Sequence, residues 1–143
     1  MNTRAARIIQ AARAAGQMTL SEYDSKRVLK LYGVPTSKEL LVTSQTAART
    51  AALKIGYPVV LKACSADATH KTELGLVAVG LGTANELTEA FRLIRKCAGP
   101  DYDGAWLVQE MVSGQREVMI GMVRDAQFGP SVMFGLGGIF TEI

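Results

Sequence analysis

Apolar positions along the chain follow two rhythms, one helical and one strand-like, punctuated by glycine, proline and capping residues. Residues 3 to 15 (TRAARIIQAARAA) are strong helix formers closed by Gly16. Ser21, with Asp24 three residues on, makes a variant of the capping box and opens a helix whose apolar positions are Val28, Leu29, Leu31 and Tyr32. Gly33 ends that helix, and Pro35 forbids its continuation. Residues 39 to 43 (ELLVT) read as a strand, followed by an alanine-rich helix from Ser44 to Ile55 that stops at Gly56. The β-branched run PVVLKAC, residues 58 to 64, predicts a buried strand, and the polar residues 65 to 73 predict a loop. Leu74 to Leu81 alternates like a strand. Thr83 and Glu86 then open a helix with Leu87, Ala90, Phe91 and Ile94 on one face, ended by Gly99 and Pro100. Beyond it only strand signals occur, in Ala105 to Val112, Glu117 to Val123 and Ser131 to Phe134, separated by Ser113-Gly114, Asp125 and Gly129-Pro130.

Helices and strands thus come in runs instead of strict alternation, which predicts an α+β architecture with mixed or antiparallel sheets and not a doubly wound fold. The last residues, GGIFTEI, alternate up to Ile143 without a cap, a turn or a polar tail. A strand cut there leaves its neighbour's backbone groups without partners, so the expectation is a truncated chain.

The chain has 143 residues, 48% of them hydrophobic and 20% charged, a balance that excludes the disordered and low-complexity classes. No apolar run reaches the ~18 residues of a membrane-spanning helix, which predicts a soluble protein. Cys64 and Cys97 make neither a disulfide framework nor a CxxC metal pair, and no secretory segment precedes them, so a cytoplasmic setting is expected. An Arg-rich, acid-free start also describes a mitochondrial transit peptide; a bacterial-type helical extension is the favoured reading. Residues 1 to 62 hold ten Lys/Arg against three Asp/Glu, and the remainder six against ten. A basic first half suits phosphate-bearing ligands, but dense cationic clusters with interleaved aromatics are missing, so no nucleic acid is expected.

Few residues carry candidate chemistry. Lys62 ends an apolar strand, where it either snorkels to solvent or reaches a nucleotide phosphate. His70, the only histidine, lies in the expected loop beside Lys71, a neighbour that biases its ring toward the neutral, nucleophilic form, and Glu73 is placed to orient it. No second His or Cys stands at ligand spacing, so His70 is not a metal site on its own. The segment Val108-Gln-Glu-Met-Val112 offers main-chain groups suited to an adenine edge, with Glu117 a candidate acceptor for ribose hydroxyls; the alternative is a plain edge strand with a surface acid. Gly135-Leu-Gly-Gly138 reads either as a backbone nest for phosphate or as a turn, and it matches neither G-x-x-x-x-G-K-[ST] nor G-x-G-x-x-G.

Taken in order, YDSKRVLKLYGVPTSKE, AALKIGYPVVLKACSADATHKTELGLV, VQEMVSGQREVMIGMVRD and FGPSVMFGLGGIFTE resemble the ATP-grasp domain of the NDP-forming acyl-CoA synthetases, the family that includes ADP-forming acetate–CoA ligase. The combination of PVVLK, THKTE and GLGG at these separations is the specific part of the match, and Leu76 stands where the family often has a second glycine. The resemblance implies an ATP-grasp fold with a nucleotide held between two α+β lobes: residues 1–20 a helical extension, 21–110 the first lobe, and 111–143 the incomplete start of the second. It implies that Lys62 contacts phosphate, that Glu110, Met111 and Val112 form the hinge whose main chain meets adenine, and that Glu117 binds ribose. Gly137 and Gly138 would belong to the glycine loop near the phosphates. His70 would be the catalytic residue, a phosphate acceptor on a mobile loop.

The implied cofactors are ATP/ADP and Mg2+, with the magnesium ligands expected beyond residue 143. The implied partner is a CoA-binding, acyl-transfer subunit or domain, in a hetero-oligomer or a fused chain, with no membrane involved. The expected function is the nucleotide-binding, phosphohistidine-forming part of an ADP-forming acyl-CoA synthetase, inactive in acyl-CoA turnover alone. The alternative is a noncatalytic ATP/ADP-binding regulatory module like the ATP-grasp parts of protein acetyltransferases.

Overall fold

In a computed structural model, residues 2–64, 75–114 and 117–137 are described. They divide into two compact units, Met1–Met111 and Val112–Ile143. The first contains helices α1 (Thr3–Ala14), α2 (Glu22–Leu31), α3 (Gln45–Ile55) and α4 (Ala84–Ala98), with strands β1 (Glu39–Val42), β2 (Val59–Cys64), β3 (Val77–Leu81) and β4 (Ala105–Glu110). The second contains β5 (Val118–Asp125) and β6 (Gly129–Leu136).

The strands of the first unit form one sheet in the order β1-β4-β2-β3, and every neighbouring pair is antiparallel. The chain is therefore α+β, as the run-wise order of elements predicts. The helix starts expected from the capping residues Ser21 and Thr83 form through their hydroxyls, and Ser44 caps α3 in the same way. Ser21 Oγ accepts the Asp24 N–H at 3.1 Å, Ser44 Oγ the Ala47 N–H at 3.2 Å, and Thr83 Oγ1 the Glu86 N–H at 3.2 Å. The Glu86 carboxylate in turn accepts the Gly82 N–H at 2.7 Å, one residue before the cap.

The core sits between one face of the sheet and helices α3 and α4. Ala48, Ala51 and Ala52 of α3 and Leu87, Ala90, Phe91 and Ile94 of α4 pack on Val59, Leu61, Ala63, Trp106 and Val108. Alanines on α3 let that helix approach the sheet closely, while α4 supplies the large side chains. Phe91 and Tyr102 flank Trp106 at ring-centroid distances of 5.1 and 4.8 Å. The Tyr102 hydroxyl accepts the Cys64 N–H at 2.9 Å and donates to the Ala105 carbonyl at 2.7 Å, tying the ends of β2 and β4. Burial raises the pKa of this phenol above its ordinary value. Gly104 is required beside it, because a Cβ there would lie 2.5 Å from the ring.

Several expectations shift at element ends. Strand β3 begins at Val77, and the Leu76 carbonyl just before it accepts the Ala63 N–H at 3.0 Å; Leu74 lies outside the described residues. Strand β4 stops at Glu110 instead of Val112. Strands β5 and β6 are longer than expected, and Gly129 and Pro130 belong to β6 instead of the turn. Proline is tolerated there by register. Counting back from the Gly137 N–H to Glu117 carbonyl bond, the Arg124–Pro130 pair falls at a position that exchanges no ladder hydrogen bonds. The apolar positions of α2 are the larger surprise: none is buried, and Leu29 and Tyr32 are exposed.

Replacing Tyr102 by Phe keeps the stacking but leaves the Cys64 N–H and the Ala105 carbonyl without their partner. The expected cost is about 1–3 kcal/mol, read from the denaturant midpoint at unchanged m-value; a change within error of zero would show that water replaces the hydroxyl without loss.

Candidate functional site

Alternation along β2 sends Val59, Leu61 and Ala63 to the helix-covered core and Lys62 to the opposite face of the sheet. Leu107 and Val77 lie opposite Lys62 on the neighbouring strands. Its side chain is only 14% exposed, so the ammonium does not simply snorkel to water. It is met by Glu22 from the first turn of α2, whose Oε1 accepts from Lys62 Nζ at 2.5 Å.

The same Glu22 oxygen accepts from Lys26 Nζ at 2.9 Å, one helical turn on. Lys26 also donates to Glu39 Oε2 and Gln109 Oε1, both at 2.8 Å, and to Ser37 Oγ at 3.3 Å. Two ammonium groups and two carboxylates thus balance one another where α2 meets β1, β2 and β4. Burial alone would raise the Glu22 pKa, but hydrogen bonds and charge from Lys62 and Lys26 outweigh it and lower the value to about 2. Burial would likewise lower the Lys26 pKa, and its two carboxylate partners overcome this and raise it. Sequence reasoning singled out Lys62 and missed Glu22, Lys26 and Gln109. The available signal was the Glu22–Lys26 spacing of i,i+4 in a first helical turn.

At the end of β4 the segment 110–112 is placed unevenly for ligand contact. The Met111 N–H donates to the Pro58 carbonyl at 3.1 Å and the Glu110 N–H to the Lys38 carbonyl at 2.9 Å, so both amides are engaged within the first unit. Glu110 Oε1 accepts the Lys38 N–H at 2.7 Å. Among the described residues the Val112 N–H donates no backbone hydrogen bond.

In the second unit the Gly137 N–H donates to the Glu117 carbonyl at 2.9 Å, continuing the β5–β6 ladder. A Cβ at Gly137 would lie 3.1 Å from Glu117 Cβ and 3.2 Å from its carbonyl carbon, which accounts for glycine by close backbone approach. Gly135 is an ordinary strand residue opposite Met119, so the expected nest does not begin there. His70 and Gly138 lie outside the described residues. A cavity of about 750 Å³ at the C-terminal end of α4, lined by Phe91, Arg92, Arg95, Lys96 and Trp106, contains none of the expected site residues.

Because the Glu22 carboxyl titrates lower in the folded chain than in the unfolded one, it adds stability that is complete above its ordinary pKa of 4.5. That contribution fades as pH falls toward about 2. Glu22→Gln is expected to remove this part of the acid limb and to cost about 2 kcal/mol at neutral pH, between the values for surface and buried pairs. Denaturant titrations from pH 2 to 7 check both; parallel curves for the two proteins would refute the assignment.

Comparison with known proteins places this geometry in a family. The ATP-grasp domain model matches residues 11–143. The chain is 42% identical over 145 residues to the beta subunit of acetate–CoA ligase [ADP-forming] I from Pyrococcus furiosus, an alignment covering 98% of this chain and 62% of the relative. A crystal structure of PH1788 from Pyrococcus horikoshii Ot3 superposes with a TM-score of 0.93 at 39% identity, covering 99% of this chain and 62% of that one. Dinucleotide-forming acetyl-coenzyme A synthetase 1 from Ca. Korarchaeum cryptofilum, solved with coenzyme A and Mg-AMPPCP, superposes with a TM-score of 0.81 at 36% identity, covering 96% of this chain and 59% of that one. Its phosphohistidine segment points towards the nucleotide binding site. The chain spans about three-fifths of the length of these relatives. It belongs to the ATP-grasp domain family and has the corresponding α+β fold.

Proposed function

We infer that this chain is the nucleotide-binding, phosphohistidine-forming part of an ADP-forming acid–CoA ligase, which interconverts acyl-CoA, ADP and phosphate with acid, CoA and ATP. The observation that carries the reading is the Lys62 ammonium, held shielded from water on the sheet face that α3 and α4 leave uncovered. A cation in that setting, with a carboxylate as its partner, is suited to exchange that partner for a phosphate oxygen. Relatives named as ADP-forming ligases, and a related structure holding a non-hydrolysable nucleotide, support the same reading.

In the proposed division of roles, Lys62 neutralises phosphate charge, the main chain of residues 110–112 receives the base, and Glu117 accepts from the ribose hydroxyls. Within residues 110–112 the engaged Met111 amide leaves the Glu110 carbonyl and the Val112 N–H as the contacts. Gly137 and Gly138 shape the backbone near the phosphates. A ring nitrogen of His70 attacks the γ-phosphorus, the bond to the bridging oxygen breaks, ADP leaves, and a phosphohistidine remains to be passed on toward an acyl phosphate. Residues 21–110 would be the first lobe, residues 1–20 its helical extension, and 111–143 the start of the second. A CoA-binding, acyl-transfer subunit or domain completes the proposed enzyme, in a cytoplasmic setting. Among the described residues there is no cluster of three or more metal-capable side chains, and no step is routed through magnesium.

With γ-labelled ATP the full chain is expected to take up acid-labile, base-stable label that His70→Ala abolishes, and ATP at 100 times its dissociation constant should stabilise the fold by ~2.7 kcal/mol. The double variant Lys62→Met/Glu22→Gln removes both charges together and is expected to weaken ATP binding about 10- to 100-fold, the value of a charge-assisted hydrogen bond. Unchanged affinity in the double variant, or label that persists in His70→Ala, would overturn the assigned roles.

A further inference from the structure

Register at the end of β4 contains an exchange that a regular ladder does not make. The β1–β4 pairing sets Glu39 opposite Gln109, so Lys38 stands opposite Glu110. The Glu110 N–H donates to the Lys38 carbonyl at 2.9 Å, which marks this as a hydrogen-bonded pair. Such a pair normally returns the second bond, from the Lys38 N–H to the Glu110 carbonyl. Here the Lys38 N–H goes instead to the Glu110 carboxylate, Oε1, at 2.7 Å. The other carboxylate oxygen faces Lys38 Nζ at 3.9 Å, so one residue secures both ends of the group. On the β2 side, the bond from the Met111 N–H to the Pro58 carbonyl makes the adjacent Val59–Glu110 pair a non-bonded one. The Glu110 carbonyl therefore has no hydrogen-bond donor among the described residues.

We propose that the Glu110 carboxylate is a positioning residue for base selection: by taking the Lys38 N–H it keeps its own main-chain carbonyl open as an acceptor. This rests on the nucleotide reading above. An open carbonyl takes a base that presents an exocyclic amino group, as adenine does, and repels one that presents a carbonyl there, as hypoxanthine and guanine do. Removing the carboxylate lets the Lys38 N–H complete the ladder and take one of that carbonyl's two acceptor positions, which weakens it toward a base. Glutamine retains a side-chain acceptor of the same length and so preserves the arrangement.

The test compares dissociation constants for ATP and inosine triphosphate, which share every phosphate and differ at the base, in the full chain and in Glu110→Ala and Glu110→Gln. The ratio is insensitive to a general loss of phosphate attraction or of stability. The wild-type chain and Glu110→Gln are expected to prefer ATP by about tenfold, and Glu110→Ala to show a clearly smaller ratio. A preference undiminished in Glu110→Ala overturns the proposal while leaving the nucleotide reading intact; a wild-type chain that binds neither nucleotide overturns both. A second measurement needs no ligand. With a single 13C label in the carbonyl of residue 110 and each shift referenced to the random-coil value of its own residue type, the resonance is expected further downfield in Glu110→Ala than in Glu110→Gln as the new hydrogen bond forms, and equal secondary shifts refute the exchange.

Discussion

An ammonium shielded from water on a sheet face must have a partner, and that requirement organises the first unit around Lys62. Strand β2 runs between β3 and β4, so its odd positions are committed to the core and Lys62 has no route into it. Glu22 meets the need, but a carboxylate brought there is itself withdrawn from water. Lys26 restores the balance, and Glu39 with Gln109 restores it for Lys26. Each step of the chain is forced by the desolvation left by the one before. The outcome is that α2 is positioned on the sheet by charge and hydrogen bonding, with Val28 and Leu31 half-buried and Leu29 exposed.

That inversion explains which features were readable from the sequence. Caps at Ser21 and Thr83 and the apolar stripe Leu87, Ala90, Phe91, Ile94 are local, and local rules located them. Strand β2 was equally plain, because a β-branched run bounded by Pro58 and a polar loop has few other readings. The apolar positions of α2 did not reveal how it docks, because this helix meets the sheet through ion pairs and hydrogen bonds to residues 11 to 83 positions away in the chain. The limits of β6 failed for a related reason: proline and glycine signal turns in isolation, and only the pairing register reveals Pro130 at a position that needs no N–H.

The candidate site was legible as a set of residue types and illegible as an arrangement. Lys62 stood out because charge at the end of an apolar strand is unusual. The i,i+4 spacing to Lys26 was the one local sign of Glu22, and nothing local tied it to Lys62, 40 positions later. The segment around Glu110 was recognisable from its resemblance to a family. That its Met111 amide is already engaged, and that a side chain substitutes for a carbonyl at Lys38, depends on the offset between β1 and β4.

Strands β5 and β6 form a ribbon whose apolar residues occupy both sides, with Val118, Met119 and Ile120 in succession on one strand and Val132, Met133 and Phe134 on the other, all exposed. Asp125 closes it by accepting the Gln127 and Phe128 N–H groups at 2.8 and 2.9 Å, which lowers its carboxyl pKa. Such a ribbon forms quickly, since its pairings are all close in sequence, but two strands alone hold little free energy. Stability is therefore uneven along the described residues: amides of β5 and β6 exchange with solvent through smaller openings than those that release β2 or β4.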